Sequence, residues 1–273
     1  MHPRLRKIGY AGNLRWRSRF GDLREGSRSG PPPRVEADPA EPLAAYWRRR
    51  IDQDQGESWA GVPMAKLPED LRAYQHALWD SAPDTVIEIG TKFGGSALWF
   101  RDQLRMLASY GRIGSPGRVI SVDSQPGVVG QMLDRADPAW REQIIFEVGD
   151  ITELATAARI HELAGHGARC LVVEDAAHTH EVTTAALTGL HDLVPPGGFF
   201  VVEDGHVDMP ELHPEGPQFI KLEGEHAVGV QRAIADFLGT PAGADFEVRR
   251  DYEPYGITAH PGGFLRRREA PGA

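Results

Sequence analysis

Val86-Ile87-Glu88-Ile89-Gly90-Thr91-Lys92-Phe93-Gly94-Gly95-Ser96 joins two kinds of local structure in eleven residues. Its first half is a short apolar run suited to a buried strand. Its second half is a turn with glycines where backbone and ligand must approach closely, and this turn opens a helix. Similar apolar runs recur at 118–122, 144–148, 170–174 and 198–203, with longer amphipathic stretches between successive pairs. That alternation is the signature of βαβ units and a parallel sheet. Two further short strands, at 246–249 and 263–266, follow a helix expected over 228–238. Five parallel strands plus a terminal pair predict an α/β, doubly wound sheet.

Upstream of the first strand, residues 42–51 have helical character. Trp59-Ala-Gly-Val-Pro-Met-Ala-Lys-Leu-Pro-Glu-Asp reads as a loop leading into another helix, on which Leu71, Tyr74, Leu78 and Trp79 recur at helical spacing. The chain therefore divides into an arm and linker over 1–41, a helical cap or lid over 42–80 and a catalytic domain over 81–273. The arm is basic: residues 1–34 hold nine Arg or Lys and two acidic residues, against 21 and 37 in the rest of the chain. With many Gly and Ser residues and a Pro31-Pro32-Pro33 end, the arm reads as a flexible extension or a contact to an acidic neighbouring subunit, not as a nucleic-acid tether.

The 273 residues, 41% apolar and 25% charged, describe an ordinary globular composition. No stretch approaches the roughly 20 apolar residues of a membrane span, and the start lacks the apolar middle of a signal peptide, so a cytoplasmic protein is expected. Cys170 is the single cysteine, which excludes an intramolecular disulfide and a cysteine-rich zinc site. Its neighbours Leu171 to Val173 make it a buried strand residue.

The turn argues about its ligand. A dinucleotide enzyme would carry Gly-x-Gly-x-x-Gly at this point; here three other residues separate Gly90 from Gly94, and Glu88 stands two positions before Gly90. A carboxylate there repels phosphate. It suits the positive amino group of a methionine moiety, while free N–H groups of the helix start take the carboxylate. Asp123 closes the second strand in Val119-Ile-Ser-Val-Asp, where an acidic side chain accepts hydrogen bonds from ribose hydroxyls. It lies 35 residues after Glu88, a long separation explained by the loop 109–117. Asp150, after the third strand, is placed for an adenine amino group. S-Adenosylmethionine is the ligand that unites these features, with Glu88, Gly90, Thr91, Lys92, Gly94, Gly95, Ser96, Asp123, Ser124 and Asp150 as its candidate contacts.

The fourth strand ends Glu174-Asp175 and the fifth Glu203-Asp204. Ligands in open parallel sheets bind at the carboxyl ends of strands, and adjacent strands lie only about 4.8 Å apart. Asp175, Glu203 and Asp204 could therefore converge, and clustered carboxylates call for a cation, by their oxygen chemistry Mg²⁺ or Mn²⁺. Helix-capping or solvated acidic residues are the competing reading. His178, His180 and His206 lie close by. A hydroxyl beside the metal would lose its proton more easily, and an imidazole could remove it. His178, three residues after Asp175, is the first candidate base.

These residues resemble the cephalosporin hydroxylase-like group of S-adenosylmethionine-dependent methyltransferases, which includes enzymes that O-methylate rhamnosyl residues of natural products. The resemblance spans roughly residues 59–267. It rests on Leu67-Pro-Glu-Asp-Leu-Arg-Ala-Tyr-Gln, Glu88-Ile-Gly-Thr-Lys-Phe-Gly-Gly-Ser-Ala, Val122-Asp123, Glu174-Asp-Ala-Ala-His-Thr-His, Val202-Glu-Asp-Gly and Pro261-Gly-Gly-Phe-Leu-Arg-Arg. It implies a Rossmann-like methyltransferase fold with helices on both faces of a mostly parallel seven-stranded sheet, Mg²⁺ at Asp175, Glu203 and Asp204, and methyl transfer to a hydroxyl oxygen. More distantly the chain is similar to catechol-type O-methyltransferases, in which a basic residue follows the first metal aspartate by three positions; His178 stands there in place of the usual lysine. Residues 207–226 match nothing in the pattern and are expected to line the acceptor pocket. The acceptor expected is a glycosylated natural product, and a homo-oligomer is expected from the arm together with Trp47 and Trp59. The rival readings are an NAD-dependent sugar oxidoreductase, opposed by Glu88, and a non-catalytic methyltransferase-like binding protein.

Overall fold

A computed structural model describes residues 38–54, 56–125, 127–213 and 229–269. The basic arm and residues 214–226 of the unmatched loop lie outside the described residues. Helix α1 (Leu43–Asp54) is followed by a small antiparallel hairpin of β1 (Ser58–Trp59) and β2 (Val62–Pro63), then by α2 (Pro68–Ser81). The βαβ units follow: β3 (Thr85–Ile89), α3 (Gly95–Ser109), β4 (Arg118–Asp123), α4 (Val129–Ala136), β5 (Ile144–Val148), α5 (Leu154–Ala164), β6 (Cys170–Glu174), α6 (His180–Leu190) and β7 (Phe199–Val202). Helix α7 (Val230–Leu238) leads into β8 (Phe246–Val248) and β9 (Phe264–Arg267).

The seven long strands form one sheet in the order β5-β4-β3-β6-β7-β9-β8. β9 pairs antiparallel with both β7 and β8, and the other pairings are parallel. The sequence shows near-continuous apolar runs because both faces are covered. Along β6, Leu171 and Val173 join one core cluster with α2 and α3, while Cys170 and Val172 join the other with α5, α6 and α7. Burial pushes the Cys170 thiol up to about 12, so it is a packing residue and not a nucleophile.

The chain runs outward from β3 to β4 and β5, then returns to the far side of β3 for β6 and β7. This reversal is a topological switch point, and it opens a crevice at the carboxyl ends of β3 and β6. The fit there is tight. A Cβ on Gly90, which has φ +104°, would lie 1.9 Å from the carbonyl oxygen of Asp175.

Within the segment 42–80, expected as a cap or lid, α2 packs closely on the rest of the chain. Tyr74 and Leu78 are fully buried, and Tyr74 packs edge-on against Trp99 and Phe100, so α2 is part of the main core layer. Trp79, read as an apolar position of that helix, is instead half exposed beside Tyr110. The Trp47 indole donates to the Thr258 carbonyl and that of Trp59 to Asp102, both at short range within the chain. This removes the ground on which a subunit contact was expected of them. Among the described residues no helix is long and apolar enough to cross a membrane.

Candidate active site

The turn after β3 is built from three left-handed positions: Gly90, Lys92 (φ 52°) and Gly94 (φ 87°). Helix α3 begins with no side chain capping it, so its first N–H groups are suited to an anionic ligand. The three glycines have separate reasons. Gly90 passes under Asp175, a Cβ on Gly94 would press on Leu133, and one on Gly95 would lie 2.3 Å from the Pro63 carbonyl of the hairpin. All three glycines thus have packing reasons of their own, beside the ligand approach expected of them.

Asp123, at the end of β4, accepts N–H bonds from Thr91 (3.1 Å) and Lys92 (2.9 Å) on one oxygen and from Gln125 (3.0 Å) on the other. It ties the turn to β4 and keeps lone pairs for further donors. Glu88 is fully buried. Thr91 Oγ1 lies 2.7 Å from Ser121 Oγ, which donates to Glu88 Oε2 at 2.5 Å, while Glu88 Oε1 is buried with no hydrogen-bond partner. Burial pushes the Glu88 carboxyl up to about 7, against the opposing pull of Lys66 and of the Ser121 and Ser96 hydroxyls. A buried carboxylate oxygen without a donor is a site that asks for a cationic one. Ser96 is buried and Ser124 exposed. Asp150 is exposed and accepts from the Thr152 N–H (2.9 Å) and hydroxyl (2.7 Å), a local turn that leaves it at the rim.

Beyond the turn, β6 and β7 end side by side, Glu174 opposite Val202, and the carboxylates that follow them fall into two overlapping groups. Glu174 itself is structural, capping Ala176 N–H and the Thr183 hydroxyl. Oxygens of Asp175 and Asp204 and a ring nitrogen of His178 all lie within 4.8 Å of one another, and Glu203, Asp204 and His260 form a second such group. Asp204 (φ 54°) and His178 (φ 55°) are both held in the left-handed region, which β-carbon-bearing residues adopt at a cost of about 1 kcal/mol or more. The surroundings split the aspartates. Asp175 is raised by burial and by Glu203; burial also works to raise Asp204, but His178, His206, His260 and Lys66 outweigh it and pull it down.

The three candidate histidines separate. His178 Nε2 lies 3.1 Å from Asp204 Oδ2, and its Nδ1 is buried with no partner. His206 is buried, with Nδ1 2.9 Å from His213 Nε2 and Nε2 3.6 Å from Asp204 Oδ1; burial lowers it to about 4, so it is neutral near pH 7. His180 opens α6 and bonds Asp236 of α7 at 2.9 Å, in a helix-to-helix contact apart from the carboxylates.

Four residues at the centre escaped the sequence reading. Lys66 Nζ donates to Asp175 Oδ2 (2.9 Å) and to both oxygens of Glu203 (2.6 Å each). Tyr74 donates to Glu203 Oε1 at 2.6 Å. Asp70 accepts from the Ala259 N–H at 2.8 Å and from the Thr258 hydroxyl at 2.5 Å. His260 accepts the Asp204 N–H on Nδ1 (3.2 Å), leaving Nε2 facing Asp70 and Glu203 at 3.6 and 3.7 Å. Burial disfavours its protonated form, yet Asp70, Glu203 and Asp204 outweigh that and raise its proton affinity. One signal was available: Lys66, Asp70 and Tyr74 are spaced by four, the last two on what proves to be the buried side of α2 and the first just ahead of it. His260 had none.

The donors fit a hard divalent cation. Asp175 and Asp204 present oxygens close to one another beside the His178 ring, and the third carboxylate, Glu203, shares its charge with Lys66.

The family model described as Rhamnosyl O-methyltransferase/CmcI matches residues 53–268. A rhamnosyl O-methyltransferase of Mycobacterium leprae (strain TN) is 29% identical over 213 residues, 77% of this chain and 83% of that protein. One of Mycobacterium tuberculosis (strain ATCC 25618 / H37Rv) is 28% identical over 214 residues, 77% of this chain and 78% of that protein. Among solved structures, CmcI-N160 in its apo form is similar with a TM-score of 0.57 at 23% identity, over 94% of this chain and 96% of that one. CmcI-D160 with Mg and SAM gives 0.55 at the same identity and coverage. At this identity the structural likeness speaks for the fold.

Proposed function

The chain belongs to the rhamnosyl O-methyltransferase/CmcI family and is an S-adenosylmethionine-dependent O-methyltransferase, and from that premise we propose that it methylates a hydroxyl of a sugar, rhamnosyl in type, on a natural product with the help of a divalent cation. Asp175, Glu203 and Asp204 would hold the cation, Mg²⁺ or Mn²⁺. Asp123 and the turn 90–96 would hold the methyl donor, with Asp150 and Ser124 at the adenosine rim. The donor supplies an electrophilic methyl group on a positive sulfur, and the cation lowers the pKa of a hydroxyl near it.

The observation that carries this reading is the state of His178. The Asp204 carboxylate only accepts, so the proton between them sits on Nε2 of His178. Nδ1 then carries a lone pair that is buried and unpartnered, an arrangement costing about 1–3 kcal/mol unless a donor arrives. An acceptor hydroxyl is such a donor. His178 takes its proton, and Asp204 fixes the ring and stabilises the imidazolium that forms. Glu88 supports the methyl donor over a nicotinamide cofactor, because its unpartnered Oε1 suits an ammonium and repels a pyrophosphate. The close approach of Gly90 to Asp175 supports a donor half and an acceptor half near enough for positioning to supply much of the rate.

The test combines Asp204→Ala with chelation. Turnover on a rhamnosylated acceptor should vanish in Asp204→Ala and in the chelated native protein, while calorimetric binding of S-adenosylhomocysteine persists. Activity that survives both treatments would refute the metal mechanism.

A further inference from the structure

Lys66 stands where the proposed cation site most needs positive charge. Its side chain is 1% exposed. It lies in the segment between β2 and α2, and among the described residues no other lysine is paired with these carboxylates. The ammonium bridges Asp175 Oδ2 at 2.9 Å and both Glu203 oxygens at 2.6 Å, and the Tyr74 hydroxyl completes the shell of Glu203. Lysine is a compact point charge, tolerated in a core only when paired.

Charge matching gives this lysine a meaning. Three carboxylates with one ammonium leave two negative charges, the amount one divalent ion neutralises. Without Lys66 the same cage would hold three. Glu203, buried and fixed by two donors, would otherwise be an isolated buried anion, which is strongly unfavourable. On the reading that Asp175, Glu203 and Asp204 receive a divalent ion, we propose that Lys66 is a built-in competitor of that ion: it keeps Asp175 and Glu203 assembled when the ion is away and weakens the site's hold on the ion when it arrives. The consequence is an exchangeable ion with full occupancy only at abundant supply, and a carboxylate cage that does not collapse in its absence.

The experiment titrates Mn²⁺ into the full chain by electron paramagnetic resonance, for the native protein, Lys66→Met and Lys66→Arg. Lys66→Met, of similar length and no charge, should bind Mn²⁺ at least about tenfold more tightly, because the repulsion between the ammonium and the ion is gone. Its melting temperature should also rise more on adding Mn²⁺ than that of the native protein. Lys66→Arg keeps the charge and should stay within about threefold of native affinity. If the native protein binds Mn²⁺ and Lys66→Met binds it no more tightly, the competitor role alone is overturned. If none of the three binds Mn²⁺, the metal reading falls and takes this inference with it. Should Lys66→Met fail to accumulate as folded protein, Mn²⁺ in the growth and purification media must restore it, and failure of that rescue overturns the proposal.

Discussion

Replacing Glu88 by glutamine should stabilise this protein while weakening its grip on the methyl donor. Glu88 sits in the middle of β3, fully buried, with Ser121 and Val173 as neighbours on the adjoining strands. Burial pushes its carboxyl from 4.5 to about 7. A folded-state pKa above the unfolded one means that the native state binds the proton more tightly. The stability this contributes is full below about pH 4.5 and is lost as the pH rises through about 7. A shift of about 2.5 units corresponds to about 3 kcal/mol. Glutamine keeps the shape and does not titrate. The difference in unfolding free energy, Glu88→Gln minus native, should therefore widen by about 3 kcal/mol between about pH 4.5 and about pH 8.5. Urea unfolding followed by tryptophan fluorescence, without ligand, measures it at each pH, and taking the change with pH cancels any fixed effect of the amide. The same variant should bind S-adenosylhomocysteine about tenfold more weakly or worse, the scale of one charged hydrogen bond. Stability curves that run parallel in pH would refute the buried-carboxylate argument, and unchanged ligand affinity would remove Glu88 from the donor site.

Gly90→Ala should cost more than about 3 kcal/mol in thermal unfolding, because its Cβ meets a backbone oxygen at a positive φ; a loss under about 1 kcal/mol would show that β3 and β6 can part at this point. His178→Asn should lower kcat by about 10²–10⁴-fold with little change in S-adenosylhomocysteine affinity, as expected for a lost general base, and a drop below about fivefold would move that role elsewhere. Tyr74→Phe removes one of the donors to buried Glu203 and should cost about 1–2 kcal/mol in denaturant unfolding; no loss would mean that Lys66 alone satisfies the carboxylate.

The sheet was legible because strands buried on both faces write themselves as unbroken apolar runs; the expected run 170–174 and the strand Cys170–Glu174 coincide. The carboxylates at the ends of β6 and β7 were legible for a related reason, since parallel neighbours end on the same side. The hairpin of β1 and β2 was not, because two-residue strands, one of them ending in Pro63, carry no periodicity. The packing role of Gly95 was not legible either: its missing side chain makes room for Pro63, a contact between segments that no local pattern encodes. The histidines show the same limit. His178 and His180 are two residues apart, yet one faces Asp204 and the other Asp236, because the chain turns left-handed at His178 before α6 begins. Lys66 and His260 come from opposite ends of the sequence, and their meeting at Glu203 is a property of the folded topology.

Asp70 is joined to Thr258 and Ala259 across 188 and 189 residues of chain. On the ribosome, α2 emerges long before the segment that satisfies it, so a nascent protein carries a helix whose buried side bears an acid and a phenol, with a lysine just ahead of it, and nothing to receive them. Synthesis at about 5–20 residues per second leaves that face waiting for roughly ten seconds or more. The same geometry sets a rule for dissecting the molecule. A fragment beginning after α2 would leave Glu203 without Lys66 and Tyr74, and one ending before Thr258 would leave Asp70 without its donors, so a minimal catalytic unit must keep both segments.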